Sequence, residues 1–311
     1  MPVNVSVVLC TWNNCRRLRA TLNSISRCTI PAAIEWELIL VNNNCTDRTD
    51  EVANDFCGKV PLIYIHEPRQ GLSRARNAGL NTAAGHLVLF TDDDVMPCAN
   101  WIGSYWDAYQ ERPYGFYFGG PVESRFVGDR PDRELLPLGP YSVKGLNWGP
   151  LPKVLDAGEQ FIGANWACPR DPLKATGGFN KALGLNPSCD EVRTGEENEI
   201  MLKLREQGLS PWYLPQAMIV HFVLPEKVTL KHIGLRARSS AYYKAIKNPE
   251  KYKCGPFLFG VPIWLYKDVF TCLRRWASYK VKGGTGYREY VKLNRLIGIL
   301  TALRKRTEDE N

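Results

Sequence analysis

Long apolar runs are missing from this 311-residue chain. The best candidate, residues 256–270 (PFLFGVPIWLYKDVF), is interrupted by Pro262 and Lys267 and is too short to span a bilayer. Paired cysteines are missing as well. Ten cysteines are scattered along the chain, with no CxxC pair and no Cys/His cluster of zinc spacing. That argues against a structural zinc site and for a reducing compartment; several of the ten lie in apolar runs, where free Cys packs as a small hydrophobe. Neither GxxxxGK[ST] nor GxGxxG occurs, so the two common glycine cradles for phosphate are absent. The start, MPVNVSVVLC, carries no basic stretch and no signal cleavage site, and it enters a strand at once. The expected location is the cytoplasm. No internal repeat is found.

Charge is present in both signs but unevenly. Residues 1–224 hold 21 Lys and Arg against 25 Asp and Glu, whereas residues 225–311 hold 19 against 7. An asymmetry of this size points the C-terminal part towards an anionic surface.

The first 95 residues alternate in type. β-Branched and apolar runs predict strands over 3–9, 35–41, 60–66 and 87–90. Helical spacing, as in Leu18, Leu22 and Ile25, predicts helices over 16–25, 47–56 and 72–83. Such alternation gives right-handed βαβ crossovers and a mostly parallel sheet. Further on, helices are expected over 101–111 and 196–207, and strands within 114–122, 160–168 and 217–223. Residues 123–158 and 183–194 lack periodicity and read as functional loops. The expected division is an α/β domain over 1–224 and a basic, mainly helical extension over 225–311.

Each predicted strand ends in polar residues: Thr11-Trp12-Asn13-Asn14, Asn42-Asn43-Asn44, Glu67, and the triplet Asp92-Asp93-Asp94. Open α/β sheets bind ligands just beyond the carboxyl ends of their strands. In LVLFTDDDV, residues 87–95, three acids follow a buried-type run with no adjacent Lys or Arg. Carboxylates so placed repel one another. A divalent cation resolves the repulsion and takes its other ligands from water and phosphates. The same acids also suit a solvated turn or a helix cap.

Seven segments, in order, resemble the glycosyltransferase family 2 domain: VSVVLCTWNN, ELILVNNNCTDRT, GLSRARNAGL, LVLFTDDDV, GANWACPR, TGEENEIMLKLREQG and YLPQAMIVHF. They span roughly residues 3–223. The resemblance implies a GT-A fold, with a mostly parallel central sheet flanked by helices, and a nucleotide-sugar donor. It implies that Thr11, Trp12, Asn13, Asn42 and Asn44 hold the base and ribose, although the family usually has Asp where Asn42 stands. Asp47 and Thr46 read better as caps of the second helix. Arg76 and Asn77 are implied near the donor, and Arg74, two residues from Arg76, does not share its helical face.

Asp92 and Asp94 match the family's DXD element, with Asp93 able to share either role. Asp94, Asp92 and His221, which follows YLPQA, are then the implied ligands of Mn2+ or Mg2+. His221 is equally readable as a satisfied buried histidine. Glu196 and Glu197 match an acidic pair whose second member acts as base, so Glu197 is the expected base of an inverting transfer; the exchange of Asp for Glu leaves the register between the two open. Acids there also complement the helix dipole. Asn165 and Trp166 are implied beneath the acceptor sugar, with core packing as the alternative.

The expected acceptor is a glycan or lipid-linked glycan; no nucleic-acid partner is expected. The alternatives are a nucleotidyltransferase, which would want a glycine-rich basic loop after the first strand, and an inactive nucleotide-sugar or carbohydrate-binding module. Trp264, Tyr266, Phe270, Arg274, Arg275 and Trp276 suit an interfacial amphipathic segment. The extension is thus expected to meet a membrane face, to pack as a helical subdomain, or to form a dimer interface.

Overall fold

The structure, a computed structural model, describes residues 2–186, 194–252 and 254–309. Most of the loop expected over 183–194 therefore lies outside the described residues. In chain order the elements are β1 (Val5–Thr11), α1 (Cys15–Ile25), β2 (Trp36–Asn42), α2 (Thr49–Phe56), β3 (Leu62–His66), α3 (Leu72–Thr82), β4 (Leu87–Asp92), β5 (Val95–Pro97), α4 (Trp101–Glu111), β6 (Phe116–Gly119) and β7 (Val122–Phe126). There follow α5 (Tyr141–Lys144), β8 (Lys153–Val154), β9 (Trp166–Pro169), α6 (Arg170–Ala175), α7 (Glu196–Glu206), β10 (Ser210–Tyr213) and β11 (Ile219–Val223). The chain closes with α8 (Leu230–Lys247), β12 (Phe257–Leu258), β13 (Val261–Pro262), α9 (Ile263–Val281) and α10 (Tyr287–Asp309).

Two compact units divide the chain. The first comprises residues 1–125, 145–190 and 196–222. Its main sheet has the order β3-β2-β1-β4-β9-β6-β10-β8, and β5-β11-β7 form a second, smaller sheet. β3, β2, β1 and β4 are mutually parallel, while β9 runs against both β4 and β6. The fold is thus α/β with a large, mostly parallel central sheet.

The continuous apolar runs follow from burial on both faces. Alternate residues of each strand serve different cores. Val5, Val7, Leu9, Leu38, Leu40, Leu87 and Leu89 pack with Leu18 and Leu22 of α1, Val52 of α2 and Trp101 of α4. Val8, Cys10, Ile39, Val41, Val88 and Phe90 pack on the opposite side with Ala75 and Leu80 of α3 and Ile200 and Leu204 of α7. Each fully buried Leu, Val or Phe contributes about 1.5–3 kcal/mol. One glycine sets the spacing between α3 and the sheet. A Cβ at Gly79 would lie 2.4 Å from Val8 Cγ1, so only Gly lets α3 lie this close to β1.

The second unit comprises residues 126–144, 191–195 and 223–311. The segment 126–144, counted with the first domain on composition alone, clusters with the C-terminal helices. Val261, Leu265, Cys272, Leu293, Leu296 and Leu303 form its main core, and Leu135, Ile233 and Val291 a smaller one. Thr285 Oγ1 donates to Glu134 and Tyr287 OH to Asp132, tying the 126–144 segment to the start of α10. Among the described residues no helix is long and apolar enough to cross a membrane. The nine described cysteines are all free.

Candidate active site

Sheet register sets the site. Thr11 pairs with Asn42, Asn42 with His66, and Cys10 with Asp92, so the carboxyl ends of four neighbouring strands finish level. β4 ends at Asp92 and β5 begins at Val95, which leaves Asp93 and Asp94 as the turn between them.

The three acids face three different partners. Asp92 Oδ1 accepts from Arg76 Nη2 at 3.3 Å. Asp93 accepts from Thr11 Oγ1 at 2.6 Å and from Asn14 Nδ2 at 2.7 Å. Asp94 Oδ1 lies 3.2 Å from His221 Nε2, and both residues are buried. Burial, with the neighbouring charge of Asp94, pushes the Asp93 carboxyl up to about 7 despite the bonds from Thr11 and Asn14. Beside these acids the buried Cys10 thiol is pushed up to about 12, chiefly by burial, and stays a thiol.

The second half of the site is built on Arg76. It is 3% exposed and stands on α3, in the turn before Gly79. Its Nη2 faces Asp92, and its Nη1 donates to Glu196 Oε1 at 3.1 Å. The guanidinium lies over the Phe179 ring, 5.6 Å from its centroid. Gly163 backs it so closely that a Cβ there would sit 2.7 Å from Nη2. Burial alone would favour loss of the proton, but Asp92, Glu196 and Glu197 together hold Arg76 charged well above its usual range. One cation faces three carboxylates. Burial and the charge of Glu197 push Glu196 up to about 8, with Arg76 opposing. Glu196 Oε2 and Glu197 Oε2 are buried atoms without a hydrogen-bond partner. Glu196 is buried as a residue, while Glu197 is half-buried. Both open α7, whose first turn also carries Glu199, so the acids sit at the helix's positive end.

Several residues with an expected role at the donor or acceptor are placed elsewhere by the fold. Asn42 is buried. Its Nδ2 donates to Tyr64 OH at 2.7 Å and to Asp50 Oδ1 at 3.0 Å, and its Oδ1 accepts from Cys45 N. Its amide is consumed by the scaffold rather than turned to a base. The exchange from the family's Asp has a local reason, since a carboxylate there would face Asp50. Asn77 is also consumed: its Nδ2 donates to Phe179 O and its Oδ1 accepts from Phe179 N, both at 2.8 Å. Asn165 is fully buried. Its Oδ1 accepts from Trp101 Nε1 and Tyr105 OH, and its Nδ2 donates to Pro121 O and Ala217 O. Trp166 is fully buried as well and stacks on Phe90, ring centroids 5.0 Å apart. Neither can lie beneath a sugar, which corrects the acceptor-side reading of both. Trp12, Asn13 and Asn44 do form an exposed rim, the two Asn with left-handed φ of 48° and 61°. Asp47, expected as a cap, binds Thr49 and Cys15 at the starts of α2 and α1.

Other residues escaped sequence reasoning. Asn14, at the start of α1, turns from capping to Asp93. Asn43 donates to Glu67 O and Arg69 O and accepts from Gly71 N, fixing the loop that delivers α3 and so Arg76. Runs of Asn at two strand ends were the available signal.

A divalent cation was expected on Asp94, Asp92 and His221. Among the described residues no three His, Cys, Asp or Glu side chains gather closely enough to hold one, and Asp92 faces Arg76 instead. The pair Asp94–His221 fits in kind. It offers one carboxylate and one imidazole, and His221 Nδ1 is buried without a hydrogen-bond partner. Such a pair supplies part of a coordination shell and leaves the rest to phosphate and water.

A model of the family described as glycosyl transferase family 2 matches residues 6–160. The glucosyl-dolichyl phosphate glucuronosyltransferase of Haloferax volcanii is 24% identical over 247 residues, which is 78% of this chain and 77% of that protein. Glycosyltransferase AglE of the same organism is 30% identical over 100 residues, and the match covers 32% of this chain and 33% of that protein. Among solved structures, the mannosyltransferase PcManGT from Pyrobaculum calidifontis, in complex with GDP-Man and Mn2+, superposes with a TM-score of 0.59 at 17% identity, covering 100% of this chain and 90% of that one. At that identity the likeness concerns the fold.

Proposed function

The chain belongs to glycosyl transferase family 2, and from that premise we propose that it moves a sugar, with inversion at the anomeric carbon, from a nucleotide-sugar donor to a hydroxyl of a glycan or lipid-linked glycan. The observation that carries this reading is the continuity of the acidic network. Strand-end Asp92 and helix-start Glu196 meet across one buried guanidinium, Arg76, with Asp93 and Asp94 next in the turn and Glu197 next on the helix.

The roles follow from what each side chain has left to offer. Asp94 and His221 would hold Mn2+ or Mg2+, which would neutralise charge on the departing nucleotide diphosphate. The Mn2+ in the Pyrobaculum complex supports this. Thr11 and Asn14 brace Asp93, keeping the turn in place. Trp12, Asn13 and Asn44 are the exposed groups able to meet base and ribose. Arg76 bonds Glu196 directly, which leaves half-buried Glu197, with no bond to that guanidinium, as the carboxylate to face an incoming hydroxyl. Glu197 takes the hydroxyl proton as that oxygen bonds to the anomeric carbon, and the bond from that carbon to the diphosphate oxygen breaks. The name of the Haloferax relative supports the lipid-linked member of the acceptor pair. With it goes a peripheral position at a membrane face.

The test is release of nucleoside diphosphate from a panel of nucleotide sugars with Mn2+ present. Glu197→Gln should lower kcat about 10²–10⁴-fold with donor KM little changed. Full turnover by that variant would remove Glu197 from the chemistry.

A further inference from the structure

The hairpin before α9 carries a conformational oddity. β12 and β13 pair Phe257 with Pro262 and Leu258 with Val261, so Phe259 and Gly260 form a two-residue turn. Both have left-handed φ, 49° and 73°. A turn of this hand favours Asn-Gly, because a bulky side chain at the first position is strained. The chain keeps an aromatic there, and that aromatic is 80% exposed. Strain kept without packing in return points to a role outside the fold.

The neighbourhood is of one kind. Phe257 is 48% and Leu258 47% exposed, whereas Val261, the cross-strand partner of Leu258, is fully buried in the helical core. The hairpin is thus anchored along β13 and bare along β12 and its turn. Tyr266 OH donates to Leu258 O and steadies the junction with α9. Along α9, Leu265 and Cys272 face the core. On the outward side Lys267, Phe270, Arg274 and Val281 recur at helical spacing, with Phe270 65% and Val281 87% exposed. Apolar and basic side chains alternate on that stripe, in a region with 19 Lys and Arg against 7 Asp and Glu.

We infer that the Phe257–Gly260 tip is a wedge that enters the surface of an anionic lipid bilayer, with the outward stripe of α9 lying against the headgroups. Aromatic tips insert into the acyl boundary while Lys and Arg meet lipid phosphate. An apolar protein partner would not call for the interleaved cations. This rests on the membrane-face part of the proposed function and names the elements that reach the membrane.

The test uses the full chain, sedimented with phosphatidylcholine vesicles with or without phosphatidylglycerol. Wild type should bind the anionic vesicles and lose that binding in high salt. Phe259→Gly should weaken binding by about tenfold or more, as expected for losing one inserted aromatic. Its thermal midpoint should change little, because Gly adopts this φ without strain but costs entropy through the unfolded chain. Unchanged vesicle binding would overturn the wedge, as would a loss of stability well beyond the roughly 1 kcal/mol, about fivefold in the folding equilibrium, that Gly costs through the unfolded chain, which would mean that Phe259 packs within the fold. Equal binding of wild type to neutral vesicles would overturn the charge component. A wild-type dimer that becomes monomeric in Phe259→Gly would assign the tip to a second copy instead. Nucleoside diphosphate release measured without lipid should be the same in both proteins, so a failure of the transfer reading shows in a different assay.

Discussion

In the α/β unit the charges that matter are buried, few and fixed, whereas in the helical unit they are numerous and solvated. Arg76 and Glu196 are almost wholly removed from water, and each contact is to a named atom. On α9, by contrast, Lys267, Arg274 and Arg275 are exposed. The apolar residues are distributed in the opposite sense. Phe90, Phe118 and Trp166 are hidden within the α/β unit, while Phe257, Phe259 and Phe270 are bare in the helical one. Buried charge is costly and survives only with geometry that compensates it, so it marks a place where atoms must be positioned. Exposed aromatics and cations position nothing inside the molecule; they mark a surface that expects company.

The largest effect that would sharpen this contrast is at Arg76. At pH 9, where Glu196 is ionised, Arg76→Met strands Glu196 and Asp92 without their cation and should cost about 3–5 kcal/mol in urea unfolding. A loss below roughly 1 kcal/mol, the range of exposed pairs, would erase the distinction between the two regions. Titration offers an intermediate effect. Asp93 and Glu196 have folded pKa values near 7 and 8, above their ordinary 3.8 and 4.5. The folded state therefore binds their protons more tightly than the unfolded chain does. Their contribution to stability is greatest at low pH and declines as the pH rises from about 4 through about 8. Urea midpoints over that range should fall less in Asp93→Asn than in wild type, and adding Mn2+ should reduce the decline in wild type. Parallel curves for the two proteins would break the claim. The smallest effect belongs to the helical unit. Arg274→Gln should change stability by no more than about 0.5 kcal/mol and weaken binding to anionic vesicles by only about fivefold.

Much of the α/β architecture was legible in the sequence, because burial on both sheet faces writes itself as unbroken apolar runs. β4 is an example: Leu87, Val88, Leu89 and Phe90 feed two different cores yet read as one run. The acids were legible for a similar reason, since Asp92 to Asp94 break such a run abruptly. What side chains do with their amides was not. Asn42, Asn77 and Asn165 are short polar residues beside motifs, and nothing local tells whether an amide faces a ligand or a backbone. The deciding partners of Asn77 and Asn165 lie between 44 and 102 residues away. Trp166 was misread because an aromatic in a short strand looks the same against a sugar as against Phe90. The strained tip at Phe259 was invisible too, since φ is a property of the folded turn.

Arg76 lends one nitrogen to β4 and another to α7, with Gly163 closing the space behind it. A flat, rigid group wedged in this way acts as a gauge block. Asp92 and Glu196 cannot move apart without pulling a cation out of the protein interior. The separation of Asp92 from Glu196 is thereby set before any ligand arrives.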